Sequence, residues 1–190
     1  ALPIFGRDDP GRRLTRALHA RVDSRHVVRA AGRPTPVKTR ILAGGIHSAK
    51  QQVVRIDRGV NQPIDARVRE AFERAAFAAL PKADAVLVSD YGSGLITPRF
   101  VSSIAAALKA AGHPIPVLVD SRYQLLKYRG LTACTPNEAE VEQALGVTID
   151  DDLRVLEKGG RAILAQTRMQ AVLVTRGSRG MALFVPKVPT

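Results

Sequence analysis

Three short apolar runs along the chain predict buried parallel β-strands. They span residues 85–88, 116–119 and 171–174. Each run is continuous and does not alternate with polar residues, which is typical of strands that are covered on both faces. A fourth and weaker run covers residues 131–134. We therefore expect a sheet of parallel strands in the second half of the chain.

Helical patterns lie between these runs. Asp65 stands where it can cap a helix that continues to Leu80. Thr97 and Pro98 have the form of an N-cap followed by the first helical residue, and Gly112 stands at the usual closing position. These signals predict two helices, one before and one after the first apolar run.

Two further helices are predicted near the C-terminal end. Thr135 is expected to cap the first of them, with Glu138 as its capping-box partner and Gly146 at its end. The second covers residues 152–168, where the glycine pair 159–160 weakens the helix by about 1 kcal/mol per glycine relative to alanine. Strands that alternate with helices predict an α/β layered fold with a mostly parallel sheet flanked by helices.

One segment breaks this alternation. Residues 37–43 and 51–57 are strand-like, and a turn containing Gly44 and Gly45 joins them. Polar and apolar residues alternate in both pieces, which predicts an antiparallel hairpin with one face in solvent. We expect this hairpin, at about 37–57, to be a lid or small accessory sheet beside an α/β core at about 83–185, both within one domain over 1–190.

Length and composition narrow the class of protein. The 190 residues fit one domain, and a hydrophobic content of 45% is enough for a core. No apolar run reaches membrane-spanning length, and the first residues do not form a secretory signal pattern. The single cysteine, Cys134, leaves no internal disulfide and no cysteine-rich zinc site. We expect a cytoplasmic protein.

The formal net charge of +12 raises the alternative of a nucleic-acid-binding domain. The basic residues are mostly arginines scattered along the chain, and aromatic residues are only 4%. Stacking platforms for bases need aromatic side chains among basic clusters, and this pattern is absent from the sequence. Nucleic-acid binding is therefore the weaker alternative, and the charge fits an anionic small-molecule ligand better.

Polar residues and glycines follow each predicted strand. In open α/β sheets, ligands bind outside the carboxyl ends of the strands. These positions hold Asp90 after the first strand, Arg122 after the second, Asn137 after the weaker run, and Thr175, Gly177 and Gly180 after the last. Asp90 is either an orienting carboxylate or an ordinary turn residue, and the Gly-x-x-Gly turn is either a ligand loop or a tight hairpin.

Asn137 and Glu140 share one face at the start of a helix. A helix start attracts anions such as phosphate, so a carboxylate there implies an intervening cation. Mg²⁺ uses one or two carboxylates together with substrate phosphates, and Glu140 is our candidate magnesium ligand. The alternative is that this segment is only a good helix start and that Glu140 is solvated.

Four segments together resemble the ribokinase-like, or PfkB, family of carbohydrate kinases. They are "VLVSDYGSGLIT", "PVLVDSR", "TPNEAEVEQALG" and "VTRGSRGMALF". The segments "DDPGRRL", "RPTPVKTRILAGG" and "QQVVRID" resemble the subgroup that acts on D-glycero-β-D-manno-heptose 7-phosphate in the ADP-heptose pathway for lipopolysaccharide core. The likeness extends from about residue 6 to residue 184.

This resemblance implies a ribokinase-like fold and an ATP-dependent, magnesium-dependent sugar kinase. The implied nucleotide-binding residues are Asn137, Glu138, Ala139, Glu140, Thr175, Gly177 and Gly180, with Glu140 also the metal ligand. The implied reaction transfers the γ-phosphoryl group of ATP to the anomeric hydroxyl of heptose 7-phosphate. The hairpin resembles a lid that covers the sugar and pairs two chains, which implies a homodimer.

The sugar's own phosphate needs cationic partners. Lys38 and Arg40 on the hairpin and Arg122 at a strand exit are candidates, and Asp90 is a candidate contact to the substrate. The alternative is that the three basic residues are surface charges.

The chain also departs from the family pattern. Members carry an N-terminal glycine-rich sugar-binding block and a later Gly-Ala-Gly-Asp segment with the catalytic base, and neither occurs here. We therefore expect a domain that is incomplete at both ends and has no useful kinase activity by itself. A non-catalytic dimerising remnant is the alternative, and a fused or separate adenylyltransferase is left open.

Overall fold

The computed structural model describes residues 4–44, 50–59 and 63–186. The chain divides into two compact units, Ala1–Ala79 and Leu80–Thr190. The predicted hairpin belongs to the first unit, and the predicted α/β core belongs to the second. Gly45, in the predicted hairpin turn, lies outside the described residues.

The first unit begins with a β-α-β arrangement that the sequence patterns did not predict. Strand β1 (Ile4–Gly6) pairs in parallel with β2 (Val28–Ala30), and helix α1 (Asp9–Ala17) lies between them in sequence. The carboxylate of Asp8 accepts the Gly11 N–H at 3.0 Å, which caps the helix.

The hairpin of the first unit consists of β3 (Val37–Ala43) and β4 (Gln51–Arg58). The two strands pair antiparallel, with a register shift between Ile41 and Leu42, so the predicted pairing is confirmed. The sequence predicted one face in solvent, whereas every residue of β4 is exposed, so both faces of this strand are in solvent. Alternation of polar and apolar residues indicates that one face of a strand is apolar. It does not indicate whether another part of the protein covers that face.

Helix α2 (Ala66–Ala79) completes the first unit. The carboxylate of Asp65 accepts the N–H groups of Arg67 and Val68 at 2.9 and 3.3 Å, so the predicted cap is confirmed. The helix buries Phe72 and Ala76 and contacts β2.

The second unit contains a five-stranded sheet in the order β5-β6-β7-β8-β9. Neighbouring strands from β5 to β8 pair in parallel, and β9 pairs antiparallel with β8. This confirms the predicted α/β fold with a mostly parallel sheet. The strands are β5 (Val86–Asp90), β6 (Val117–Ser121), β7 (Ala133–Cys134), β8 (Ala171–Thr175) and β9 (Met181–Phe184).

Helices connect these strands. They are α3 (Pro98–Ala110), α4 (Glu138–Leu145) and α5 (Leu153–Thr167), together with short 3₁₀ turns at Leu80–Lys82, Leu125–Lys127 and Gly177–Arg179. The Thr97 side chain accepts the Phe100 N–H at 3.2 Å, and Gly112 has a φ of +64°, so both predicted ends of α3 are confirmed. Asp152 caps α5.

The two faces of this sheet differ in burial. One face is buried and includes Val88, Val119, Cys134, Val172 and Val174. The opposite face is open, and Leu87 and Leu183 are 74% and 62% exposed. The prediction that these strands are covered on both faces is therefore wrong, because an apolar run records an apolar surface without recording what covers it. We call this surface the open face; besides Leu87 and Leu183, it includes Leu118, Leu173 and Met181.

The glycine pair in α5 allows close packing. A Cβ atom at Gly160 would lie 2.3 Å from ring atoms of Phe184, and one at Gly159 would lie 3.0 Å from a methyl group of Val141. The pair therefore lets α5 approach α4 and β9, which offsets the weaker helix propensity expected from the sequence.

Helix α4 starts two residues later than the sequence predicted. Its N-cap is Asn137, whose side-chain oxygen accepts the Glu140 N–H at 2.9 Å, while the Glu140 carboxylate accepts the Asn137 N–H at 3.0 Å. The predicted capping box of Thr135 and Glu138 is wrong. Thr135 directly follows β7 and is bonded to the sheet, because its N–H donates to the carbonyl of Val119 at 3.2 Å. Gly146, with a φ of +66°, ends the helix as predicted.

Among the described helices, none is both long enough and apolar enough to cross a membrane.

Candidate functional site

An open cleft of about 660 Å³ lies at the carboxyl ends of β5, β6 and β8, beside the start of α4. Strand exits and a helix start therefore converge, as expected for ligand sites in open α/β sheets. The lining residues are Asp90, Tyr91, Asp120, Arg122, Thr135, Asn137, Ala139, Glu140, Gln143 and Thr175.

Six of the residues proposed from the sequence line this cleft. They are Asp90, Arg122, Asn137, Ala139, Glu140 and Thr175. The structure thus brings together residues that are separated by up to 85 positions in the chain. Their placement agrees with the prediction, and their roles as ligands of a nucleotide, metal or substrate stay predictions.

Five proposed residues do not line the cleft. Gly177 and Gly180 bound the turn that follows Thr175, and both have positive φ values, +59° and +82°. Nothing lies within 4 Å of a Cβ atom at either position, so backbone conformation explains these glycines better than space does. The carboxylate of Glu138 forms ion pairs with Arg176 and Arg179. Lys38 and Arg40 lie on β3 of the first unit, two residues apart and both exposed.

Asp90 is a buried carboxylate at the edge of the cleft, with an exposed fraction of 3%. Its Oδ2 accepts the hydroxyl groups of Ser121 at 3.0 Å and Tyr128 at 2.8 Å, and its Oδ1 accepts the Gly92 N–H at 2.9 Å. Burial, together with the neighbouring Asp90, raises the pKa of Tyr128 well above its ordinary value. Asp90 therefore joins the exits of β5 and β6 and fixes the shape of the cleft.

Two carboxylates in the cleft are available to a cation. Asp120 is partly buried, and its carboxylate forms no hydrogen bond or ion pair with other described residues. Glu140 uses one carboxylate oxygen for the Asn137 N–H. Carboxylate oxygens suit Mg²⁺, which completes its coordination with water and ligand phosphates. Within the described ranges, no group of three His, Cys, Asp or Glu residues could hold a metal ion by itself.

Four of the lining residues were not among the site residues proposed from the sequence, although Thr135 was predicted as a helix cap. Tyr91 directly follows β5, and Asp120 is the penultimate residue of β6. Thr135 lies two residues before the helix cap, and Gln143 lies one helical turn after Glu140. The signal for Asp120 was its place at the end of an apolar run. Gln143 follows Glu140 by the same three residues that separate Asn137 from Glu140, and this spacing was the only sequence signal that placed it on the same helix face.

Glu138, the first residue of α4, binds two arginines of the glycine turn. Its carboxylate accepts the Nε of Arg176 at 2.8 Å and the Nη2 of Arg179 at 2.5 Å. These arginines lower the pKa of Glu138 below its ordinary value, with the hydrogen bond from Arg176 as the largest cause. The start of α4 and the turn after β8 are therefore connected through charged side chains.

Comparisons with known proteins identify relatives over most of the chain. The model of a family described as pfkB family carbohydrate kinase matches residues 4–188. The Bifunctional protein HldE of Trichlorobacter lovleyi is 36% identical over 183 residues, which cover 95% of this chain and 36% of that protein. The Bifunctional protein HldE of Azorhizobium caulinodans is 36% identical over 187 residues, with the same coverage.

The chain is also similar to the solved structure of Arabidopsis thaliana ribokinase complexed with ribose and ATP. The TM-score is 0.64 at 21% sequence identity, with coverage of 100% of this chain and 59% of the ribokinase chain. This likeness supports the ribokinase-like fold. The chain spans little more than a third of the length of the curated relatives that it matches.

Proposed function

Because the chain belongs to the PfkB family of carbohydrate kinases, we propose that its cleft binds Mg²⁺ and ATP as part of a sugar kinase. The observation that carries this proposal is the convergence of Asp120, Glu140 and the α4 start on one cleft beside the Gly177–Arg179 turn. Phosphoryl transfer depends on positioning and charge stabilisation, and these are the groups that hold a charged nucleotide.

Each part of the cleft has a proposed task. Asn137 caps α4 and Ala139 lies in its first turn, where the positive end of the helix dipole favours phosphate. Thr175, Gly177 and Gly180 form the loop against which the nucleotide lies. Glu140, together with Asp120 on the same cleft, holds Mg²⁺, and the bound ion neutralises phosphate charge. Asp90 keeps the two strand exits in register and borders the substrate.

The proposed sugar is D-glycero-β-D-manno-heptose 7-phosphate, phosphorylated at its anomeric hydroxyl. The named HldE relatives, at 36% identity over most of this chain, support this choice. Arg122 in the cleft and Lys38 and Arg40 on β3 are the proposed cationic partners of the sugar phosphate. The relatives are named bifunctional, and we propose an adenylyltransferase as the second activity of such a protein.

We further propose that these 190 residues bind nucleotide without efficient transfer. The sequence contains no Gly-Ala-Gly-Asp segment, which in this family is expected to supply the base. A positioned base is worth about 10²- to 10⁴-fold in rate.

Calorimetric titration with ATP, with and without Mg²⁺, tests the nucleotide proposal. We expect binding that depends on Mg²⁺, and we expect Glu140→Gln to weaken it at least about tenfold, or ~1.4 kcal/mol. Glutamine retains the oxygen that accepts the Asn137 N–H, so this variant removes charge while it preserves the helix cap.

Glu157→Gln is the matched control, because Glu157 pairs with Arg161 on the exposed side of α5. This variant should bind Mg²⁺ and ATP like the unmodified chain. Absence of Mg²⁺-dependent binding, or equal affinities of both variants, would defeat the proposed site.

The exposed apolar hairpin supports a second proposal, that two chains pair through β3 and β4. Five large hydrophobic residues there are 41–62% exposed: Ile41, Leu42, Val53, Val54 and Ile56. Exposed contiguous apolar surface marks interaction sites.

Sedimentation equilibrium tests this pairing. We expect the chain to dimerise and Val53→Lys to weaken the dimer at least about tenfold, because a lysine would be placed in an apolar contact. Leu153→Lys serves as control, since Leu153 lies outside the hairpin and is 61% exposed, against 62% for Val53. A monomeric unmodified chain, or equal weakening by both lysines, would contradict pairing through the hairpin.

A further inference from the structure

We propose that Glu138 is a positioning residue that fixes the Arg176–Gly180 turn for nucleotide binding and does not itself contact the nucleotide. This inference rests on the proposed function, in which that turn borders the nucleotide. It changes the role that the resemblance implied for Glu138, from ligand to support.

The first step of the argument is the saturation of the Glu138 carboxylate. Each of its oxygens accepts a guanidinium donor, Oε1 from Arg176 and Oε2 from Arg179. The side chains of Glu138 and Arg176 are only 14% and 13% exposed. A mostly buried ion pair is held more firmly than a surface pair, and a broken one leaves an uncompensated charge. Glu138 is therefore engaged in the fold, and a negatively charged phosphate would gain nothing from approaching it.

The second step is the position of the two arginines. Arg176 directly follows the last residue of β8, and Arg179 ends the 3₁₀ turn. Both turn arginines thus face a carboxylate on the neighbouring helix start. Both guanidinium groups are engaged by carboxylates of the chain itself, so the turn offers its backbone to a ligand.

Arg179 adds a third segment to this connection. Its guanidinium also donates to the carbonyl oxygen of Asp150 at 3.2 Å and to the carboxylate of Asp151, in the connection between α4 and α5. Asp150 has a φ of +42°, a conformation that residues other than glycine adopt rarely. One arginine therefore links the glycine turn, the α4 start and a constrained connection.

Backbone bonds show where this fixed turn lies. The Thr175 N–H donates to the carbonyl of Pro136 at 2.9 Å, so the end of β8 is in register with the residues just before α4. Within the turn, the Arg176 N–H donates to the Gly180 carbonyl at 2.9 Å. Glu138 lies between this backbone bridge and Glu140. Its ion pairs hence set the spacing between the glycine turn and the proposed magnesium ligand.

The test compares Glu138→Gln with Glu157→Gln in the 190-residue chain. Both variants remove a carboxylate that pairs with arginine, but only the first pair lies at the turn. We expect Glu138→Gln to raise the amide hydrogen-exchange rates of Arg176 and Gly180 at least threefold without nucleotide. We also expect it to weaken Mg²⁺–ATP binding about fivefold. Glu157→Gln should change neither quantity.

A double-mutant cycle with Arg176→Gln identifies the partner. If the two side chains act as one unit, the double variant should bind Mg²⁺–ATP no more weakly than whichever single variant binds it more weakly. Additive losses would overturn the proposal.

The two readouts separate this inference from the proposed function. Unchanged exchange at the turn in Glu138→Gln overturns the positioning role. So does weaker ATP binding with unchanged exchange, since Glu138 would then act on the nucleotide directly. If the unmodified chain does not bind Mg²⁺–ATP, the proposed function fails, and with it the role of the turn in binding, whatever the exchange rates are.

Discussion

Replacing Asp90 by alanine should lower the free energy of unfolding of the second unit by about 2–6 kcal/mol. The substitution removes the acceptor of the buried hydroxyl groups of Ser121 and Tyr128, whose residues are 2% and 1% exposed. A buried donor left without a partner costs about 1–3 kcal/mol, and two such donors would remain. Urea denaturation followed by circular dichroism measures this loss.

Two further variants calibrate the result. Asp120→Ala removes a carboxylate from the neighbouring strand that bonds to no described residue, and it should change stability by less than about 0.5 kcal/mol. Tyr128→Phe removes one hydrogen bond to a carboxylate and should cost about 1–3 kcal/mol. Equal stabilities of the Asp90 and Asp120 variants would mean that the buried hydrogen bonds do not hold the strand exits together.

Gly160→Leu should destabilise the same unit by about 3 kcal/mol. A Cβ atom at this position would lie 2.3 Å from ring atoms of Phe184, which is itself only 8% exposed. The ring cannot move without a shift of β9 or α5, so the added side chain strains the packing between them. Thermal and urea denaturation both report this change.

Two further experiments test whether the effect depends on position 160 and on Phe184. Ala165→Leu adds the same side chain to an exposed position of α5 and should be neutral within about 0.5 kcal/mol. Combining Gly160→Leu with Phe184→Ala should cost less than the sum of the single changes, because the small residue makes room for the large one. Additivity of the two changes would show that Phe184 is not the residue that Gly160 accommodates.

Local sequence patterns predicted the elements of this chain well where one signal stood alone. Thr97 and Pro98 opened α3, Asp65 capped α2, and the two hairpin strands lay within one residue of their predicted bounds. In each case the capping or alternating residues had no competing candidate nearby.

The start of α4 shows why local patterns fail when two signals overlap. Thr135 and Asn137 are both good caps, and each has a glutamate three residues later. The choice between them depends on the sheet, because the Thr135 N–H bonds to Val119 on a strand that is distant in sequence. A pattern confined to one segment cannot contain that information.

The cleft was predictable in part for a similar reason. Polar residues at strand ends indicated where a ligand site would form, and parallel pairing brought Asp90, Asp120 and Thr175 to one edge. The sequence did not predict which carboxylates form ion pairs within the protein. Glu138 is held by arginines 38 and 41 positions away, whereas the carboxylate of Asp120 has no partner among the described residues.

The open face of the sheet has a consequence for the cleft beside it. Asp120 lies two residues after Leu118, and Thr175 lies two residues after Leu173, so these two cleft residues are on the same side of the sheet as the open face. Whatever shields those leucines from water would therefore also border a ligand in the cleft. If covering the open face strengthens ligand binding in the cleft, then ligand binding strengthens the covering of the open face by the same free energy.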